Sequence, residues 1–161
     1  VCKKKKTRNS WPNLHKMKAS FNSLNGEIPA WLSTMRKLSY IKLRSNKLSG
    51  EIPRELAASP ALFYLDAADN GLEGPLPRFG ERLGVLDVSS NGVAGGIDEA
   101  LGDAVGLQVV GLRGNPGLCG PVPSSARWAV GFSAEGTGLG KPCAGSSSSS
   151  SSSSAPEKRE T

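Results

Sequence analysis

The stretch Leu38-Ser39-Tyr40-Ile41-Lys42-Leu43-Arg44-Ser45-Asn46-Lys47-Leu48-Ser49-Gly50-Glu51-Ile52-Pro53 decides how the rest of the chain is read. Ile41 and Leu43 alternate with Tyr40, Lys42 and Arg44, which is a short strand with one buried and one exposed face. An asparagine follows the strand, then Leu48, Gly50 and an Ile52-Pro53 ending. Working outward, the same arrangement recurs. Asn22, Asn46, Asn70, Asn91 and Asn115 stand at spacings of 24, 24, 21 and 24. Ahead of them lie Leu14, Met17 and Ala19; Leu38, Ile41 and Leu43; Leu62, Leu65 and Ala67; Leu83, Leu86 and Val88; Leu107, Val110 and Leu112. Behind four of them come Leu24/Gly26, Leu48/Gly50, Leu72/Gly74 and Val93/Gly95. Three then close on Ile28-Pro29, Ile52-Pro53 and Leu76-Pro77.

A repeat of this length cannot bury its leucines alone, so neighbours must stack and share a core. An asparagine amide both donates and accepts, which suits it to backbone groups left open where the chain bends. Glycine permits the tight return, and proline ends the extended segment because it has no N–H. The stretches from Arg54 to Ala58 and from Asp98 to Asp103 are expected as short helical turns on the outer side. Strands are expected near 16–20, 40–44, 64–68, 85–89 and 109–113, with all five asparagines facing inward.

These units resemble plant-type leucine-rich repeats, whose pattern is L-x-x-L-x-L-x-x-N-x-L-x-G-x-I-P, over residues 14–123. The G-x-I-P ending is what separates this subclass from other leucine-rich repeats. The resemblance implies an α/β repeat solenoid, a right-handed superhelix with a parallel concave sheet, a short second sheet and helical turns on the convex side. The fourth copy departs from the pattern, with a three-residue deletion before it and Gly96-Ile97-Asp98 in place of the proline ending. The fifth ends in Asn115-Pro116-Gly117-Leu118-Cys119-Gly120-Pro121, similar to the family's N-x-x-L-C-G-x-P closure.

Three cysteines allow at most one internal disulfide with one thiol left over. The resemblance implies that Cys119 and Cys143 pair to staple the end of the solenoid, which points to an oxidising compartment. Two buried thiols in a reducing cell is the competing reading, and Cys2 has no evident partner. The expected organisation is a basic, disordered segment over 1–13, five repeats over 14–118, a disulfide cap over 119–143 and a disordered polyserine linker over 144–161. The family caps its first repeat with a helical segment and paired cysteines, and nothing in residues 1–13 resembles that. The expectation is therefore a piece of a longer array whose upstream turns are absent from this chain, with the serine run as a juxtamembrane stalk.

Composition removes several function classes. The apolar fraction of 37% fits a globular chain rather than a disordered one. Its apolar runs fall far short of the roughly 18 residues that a membrane helix needs. Membrane attachment is thus expected only through a helix of a parent protein. The net charge of +6 resides in residues 1–18, where five lysines and an arginine (Lys3, Lys4, Lys5, Lys6, Lys16 and Arg8) join Lys18 for +7, leaving −1 elsewhere. A nucleic-acid-binding domain spreads its basic residues over the folded body, so no nucleic-acid partner is expected. His15 is the sole histidine, which leaves the usual zinc spacings unsupported. The run from Glu135 to Pro142 departs from the phosphate-loop pattern at its first glycine and after its lysine. No cofactor, metal site or catalytic constellation is expected, and any kinase would lie outside this chain.

Binding remains, and the register places it. Side chains between the leucines form three columns: Lys16, Tyr40, Tyr64, Val85, Val109; Lys18, Lys42, Asp66, Asp87, Gly111; and Ser20, Arg44, Ala68, Ser89, Arg113. The candidates for partner contact are Tyr40, Lys42, Arg44, Tyr64, Asp66, Asp87 and Arg113, because tyrosine and arginine are frequent interface hot spots. Tyr40, Lys42, Arg44 and Tyr64 carry most of the expectation, since Asp66, Asp87 and Ser89 match the family consensus and read equally as scaffold. The resemblance implies the ligand-binding region of a plant receptor-like kinase or receptor-like protein, with a peptide, glycan or protein ligand and a co-receptor ectodomain as a further partner, on the extracellular face of the plasma membrane or in the cell wall. A secreted enzyme inhibitor of the polygalacturonase-inhibitor type and an intracellular scaffold are the alternatives. No N-x-[S/T] sequon occurs, which is unusual for a secreted plant ectodomain.

Overall fold

A computed structural model describes Trp11, residues 13–122 and residues 130–143. The expectations for Cys2, the lysine run and the polyserine segment lie outside these residues. Two six-stranded parallel sheets run side by side along a solenoid. The first contains β1 (Lys16–Lys18), β3 (Tyr40–Lys42), β5 (Tyr64–Asp66), β7 (Val85–Asp87), β9 (Val109–Gly111) and β11 (Gly131–Ser133), in that order. The second contains β2 (Asn25–Glu27), β4 (Lys47–Gly50), β6 (Gly71–Pro75), β8 (Gly92–Gly96), β10 (Gly117–Gly120) and β12 (Gly138–Leu139). Each turn of chain thus gives one strand to each sheet, and the α/β leucine-rich-repeat solenoid is the fold.

Register follows the period residue for residue. Tyr40 pairs with Lys16 and Tyr64, and Ile41 pairs with Met17 and Leu65. Strands of three residues are shorter than the five-residue strands expected, because the chain begins to bend before each asparagine. The residues that make that bend are Phe21, Ser45, Asp69 and Ser90, all left-handed with φ of 54–57°, and Gly114 at φ 71°. Gly74 (φ 77°) has a second reason for being glycine, since a Cβ there would lie 2.7 Å from Cγ of Glu51.

Leu38, Ile41, Leu43, Leu65, Leu86, Val110 and Leu112 are at most 3% exposed, forming one core that runs through the stack. Short helical turns close the outer side: a 3-10 turn over Ala30–Thr34, α1 (Arg54–Ala57) and α2 (Asp98–Leu101). The first of these was not anticipated from sequence. The three-residue deletion falls between β6 and β7, where no helical turn forms. Phe79, 1% exposed, sits there instead, and its N–H donates to the Ala100 carbonyl while Gly80 N–H donates to that of Ala57. A single large ring thus occupies the layer that Leu56 and Leu101 fill from helices in the neighbouring turns.

The asparagines join one turn to the next. Asn91 Nδ2 donates to the carbonyls of Ala67 (3.1 Å), Val88 (2.9 Å) and Ser89 (3.1 Å), and its Oδ1 accepts from Leu72 N–H (3.0 Å). Asn46 and Asn70 repeat this set, and Asn115, fully buried, repeats most of it. Asn22 differs from the expectation. It is exposed and bonds only its own turn, to the carbonyls of Ala19 and Ser20, since no described turn precedes it.

The far end is closed differently. Cys119 and Cys143 are disulfide-bonded with Cα atoms 5.0 Å apart, and β11 and β12 of the cap extend both sheets by one strand. Sequence inspection missed these strands because Gly131-Phe132-Ser133 carries none of the leucine pattern.

The ladder predicts unequal losses. Asn91→Ala removes four bonds and strands a buried N–H, so it should lower unfolding free energy by about 2–3 kcal/mol. Asn22→Ala should stay within about 1 kcal/mol. Urea titration of both variants reads the difference directly, and equal midpoints would remove the ladder as a stabilising element.

Candidate functional site: the concave face

The concave face is built from the strand positions that alternate with the core. Tyr40 and Tyr64 are in register on β3 and β5, and parallel strands are separated by about 4.8 Å. That spacing suits stacking, and the rings lie 4.1 Å apart between centroids at an interplanar angle of 20°. Lys42 Nζ lies 5.7 Å from the Tyr40 centroid and 5.3 Å from that of Tyr64, and Lys16 Nζ lies 5.7 Å from Tyr40. These are cation–π distances. Lys18 stands beside Lys42 in the register of β1 and β3. The Lys42 ammonium is held above its ordinary value, first by its hydrogen-bonding contact with Tyr40 and then by Tyr64, so it remains a cation at neutral pH. The Tyr64 hydroxyl is also raised, mainly by burial, with Lys42 acting against the shift.

Three of the sequence candidates are engaged elsewhere. Arg44 turns away from the tyrosines and bridges two strands: Nε donates to Asp66 Oδ2 at 3.2 Å, and Nη2 donates to Asp87 Oδ2. Burial opposes its charge, but Asp66 and then Asp87 outweigh that and hold the guanidinium above its ordinary value. Asp66 is 5% exposed, and its other oxygen accepts from the Ala68 N–H. Asp87 accepts likewise from Ser89 N–H at 3.0 Å. Asp69, a fourth acid on this side, accepts from the Ser45 hydroxyl. Arg113 is exposed on the turn after β9, three strands from β3 and therefore about 14 Å away.

The structure thus divides the candidates into two groups. Tyr40, Tyr64 and Lys42 form one cluster together with Lys16 and Lys18. Arg44, Asp66 and Asp87 form a second, ion-paired one, with two carboxylates sharing a single guanidinium. Lys16 and Lys18 were tabulated in the columns but not weighed as contacts. Their signal was available, since both lie in register with candidates that were. The carboxylate bridge was also legible in principle, because Arg44 and Asp66 are diagonal neighbours on adjacent strands. Among the described residues no carboxylate pairs with Lys16, Lys18 or Lys42. The ammonium groups of Lys16 and Lys42 over the tyrosine rings, with Lys18 in register beside Lys42, can hold an anionic group by charge, and the phenol hydroxyls can donate to it.

A family model described as Leucine Rich Repeat matches residues 37–58. No curated protein matches the chain by sequence. Among solved structures the chain is similar to the plant peptide hormone receptor RGFR1 in complex with RGF2, with 33% identity over 80% of this chain and 21% of that one and a TM-score of 0.74. It is similar to the Arabidopsis receptor kinase HAESA in complex with the peptide hormone IDA and the co-receptor SERK1, with 27% identity, 80% and 22% coverage and a TM-score of 0.73. It is also similar to the BIR3–SERK2 complex from Arabidopsis thaliana, with 31% identity, 79% and 70% coverage and a TM-score of 0.61. The chain spans less than a quarter of the RGFR1 and HAESA chains.

The Arg44 bridge generates a stability prediction rather than a binding one. Arg44→Ala leaves the Asp66 carboxylate buried without its cation, and the half-exposed position of Arg44 tempers the loss to about 1–2 kcal/mol. Adding Asp66→Ala to Arg44→Ala should recover part of it, and a double-mutant cycle in urea measures the coupling. Independent, additive losses would show that the bridge contributes nothing.

Proposed function

This chain belongs to the leucine-rich-repeat family in its plant-type form, and from that premise we propose that it is a partner-recognition region of an extracellular plant receptor. Its partner is a peptide or protein with an acidic group, bound on the concave face through Tyr40, Lys42 and Tyr64, with Lys16 and Lys18 at the margin. The observation that carries this reading is the stacked tyrosine pair with Lys16 and Lys42 over its rings and no carboxylate paired to either lysine among the described residues. Like charges on adjacent strands destabilise a sheet. A site that retains them gains when an anion arrives.

The chemistry favours a peptide or protein over a glycan. Tyr40 and Tyr64 turn a ring face to each other, so their edges and hydroxyls, not a free aromatic platform, meet the partner. The disulfide between Cys119 and Cys143 supports an oxidising, extracellular location. The likeness to receptor structures titled as peptide-hormone and co-receptor complexes supports the partner class. Recognition is the whole of the role proposed, and a kinase, if the receptor has one, is carried by another part of it. Arg44, Asp66 and Asp87 act as a strut that keeps β3, β5 and β7 aligned under the patch.

The test is to recover a partner by pull-down from plant extracellular fluid and titrate variants against it. Tyr64→Ala should weaken binding by about 2 kcal/mol or more if the ring is a hot spot. Lys42→Glu should weaken it further at low salt, with the difference shrinking as ionic strength rises. Affinity unchanged in both variants would move the binding surface off the concave face.

A further inference from the structure

The asparagines of the ladder differ in the residue that follows each of them. Asn46 precedes Lys47, Asn70 precedes Gly71, Asn91 precedes Gly92 and Asn115 precedes Pro116. That neighbour governs a reaction of the side-chain amide that needs only water. The backbone nitrogen of the next residue attacks Cγ and forms an N–Cγ bond. The Cγ–Nδ2 bond breaks, and ammonia leaves with the proton that the backbone nitrogen loses. The resulting cyclic imide adds water and opens to aspartate, or to isoaspartate with the main chain routed through Cγ. Glycine has no Cβ to hinder this attack, so Asn70 and Asn91 carry the most reactive neighbours. Proline has no N–H, which denies Asn115 the nucleophile altogether.

The fold holds both reactive amides still. Asn70 Nδ2 donates to the carbonyls of Leu43, Ala67 and Ala68, and its Oδ1 accepts from Leu48 N–H. Asn91 is held in the same way by Ala67, Val88, Ser89 and Leu72. Neither amide can turn its Cγ toward the next nitrogen, or release Nδ2, while these bonds stand. Separation of neighbouring turns removes the restraint. We propose that Asn70-Gly71 and Asn91-Gly92 are deamidation sites suppressed by the ladder, so that an opening of the central turns becomes permanent once either amide is lost. The product cannot rebuild the bond set. A carboxylate has no proton to donate, and at position 70 or 91 it faces three carbonyl oxygens. Burying that charge without a donor is costly. Isoaspartate also lengthens the main chain at the entry to β6 or β8, which begin at Gly71 and Gly92. Chemical change in an opened state is a general route to irreversible unfolding. Here it falls on the turns that carry β5 and β7, and it is independent of any concave-face ligand.

The experiment incubates the full chain at mildly alkaline pH, in native buffer and in urea above the unfolding midpoint. Peptide mass mapping with isoaspartate detection follows each asparagine over time. In urea, Asn70 and Asn91 should convert about tenfold or more faster than Asn46, and Asn115 should stay intact. Folding should slow Asn70 and Asn91 by about tenfold or more, because their rate then scales with the fraction of time the turn is open. Asn25-Gly26 is the same pair outside the ladder, so folding should protect it less. Converted chains, separated by their added negative charge and returned to native buffer, should unfold at lower urea than untreated ones. Asn70→Asp, made directly, should reproduce that loss, and Gly71→Ala should slow conversion of Asn70 in urea. Four results overturn the proposal: equal rates in urea and native buffer, equal rates for Asn46 and Asn70 in urea, protection of Asn25 as strong as that of Asn70, or an unchanged midpoint in converted chains.

Discussion

One amide side chain per turn holds this solenoid in register. A leucine-rich turn is too thin to shield its own core, so its stability depends on how faithfully the next turn is placed upon it. Hydrophobic contact is non-directional and tolerates slippage. The asparagine does not. Asn46, Asn70 and Asn91 each reach the carbonyl of the strand end one turn away and accept an N–H from the following segment of that turn. That geometry ties the first sheet to the second, and the left-handed residue just ahead of each asparagine aims the amide inward. Every side-chain column on the concave face, functional or not, inherits its alignment from this bond set.

Most of the fold was legible because the asparagine period is so regular. Spacings of 24, 24, 21 and 24 place strands and columns without any knowledge of contacts, and the cysteine pair followed from the family resemblance. What was not legible falls where the pattern is locally silent. The role of Phe79 depends on a helical turn being absent, and a deletion reveals only that something is missing. The strand at Gly131–Ser133 has no apolar alternation, and it pairs because β9 presents an open edge to it. The first turn, though regular in sequence, leaves Asn22 exposed, because burial there needs a neighbour and not a motif.

The candidate site was half legible for a related reason. Columns tell which side chains share a face but not which partner each will choose. Arg44 has Lys42 on its own strand and Asp66 and Asp87 on the strands beyond, and Coulomb attraction draws it to the acids. The concave face therefore separates into a region where Arg44 is ion-paired to two acids and one where Lys16 and Lys42 lie over the tyrosines without a carboxylate partner among the described residues. Net charge conceals this division, and only diagonal neighbours expose it.

The link between Cys119 and Cys143 also determines how the molecule responds to a pull. Tension applied at residue 143 passes through sulfur to Cys119 in β10 and bypasses the residues between them. The loop from 120 to 142 is mechanically silent, and it cannot be peeled away strand by strand. Force enters instead where Cys119 is paired with Gly96 on β8 and is shared by the sheet behind it. The closed end of the solenoid therefore acts as a rigid handle on the sheets behind it.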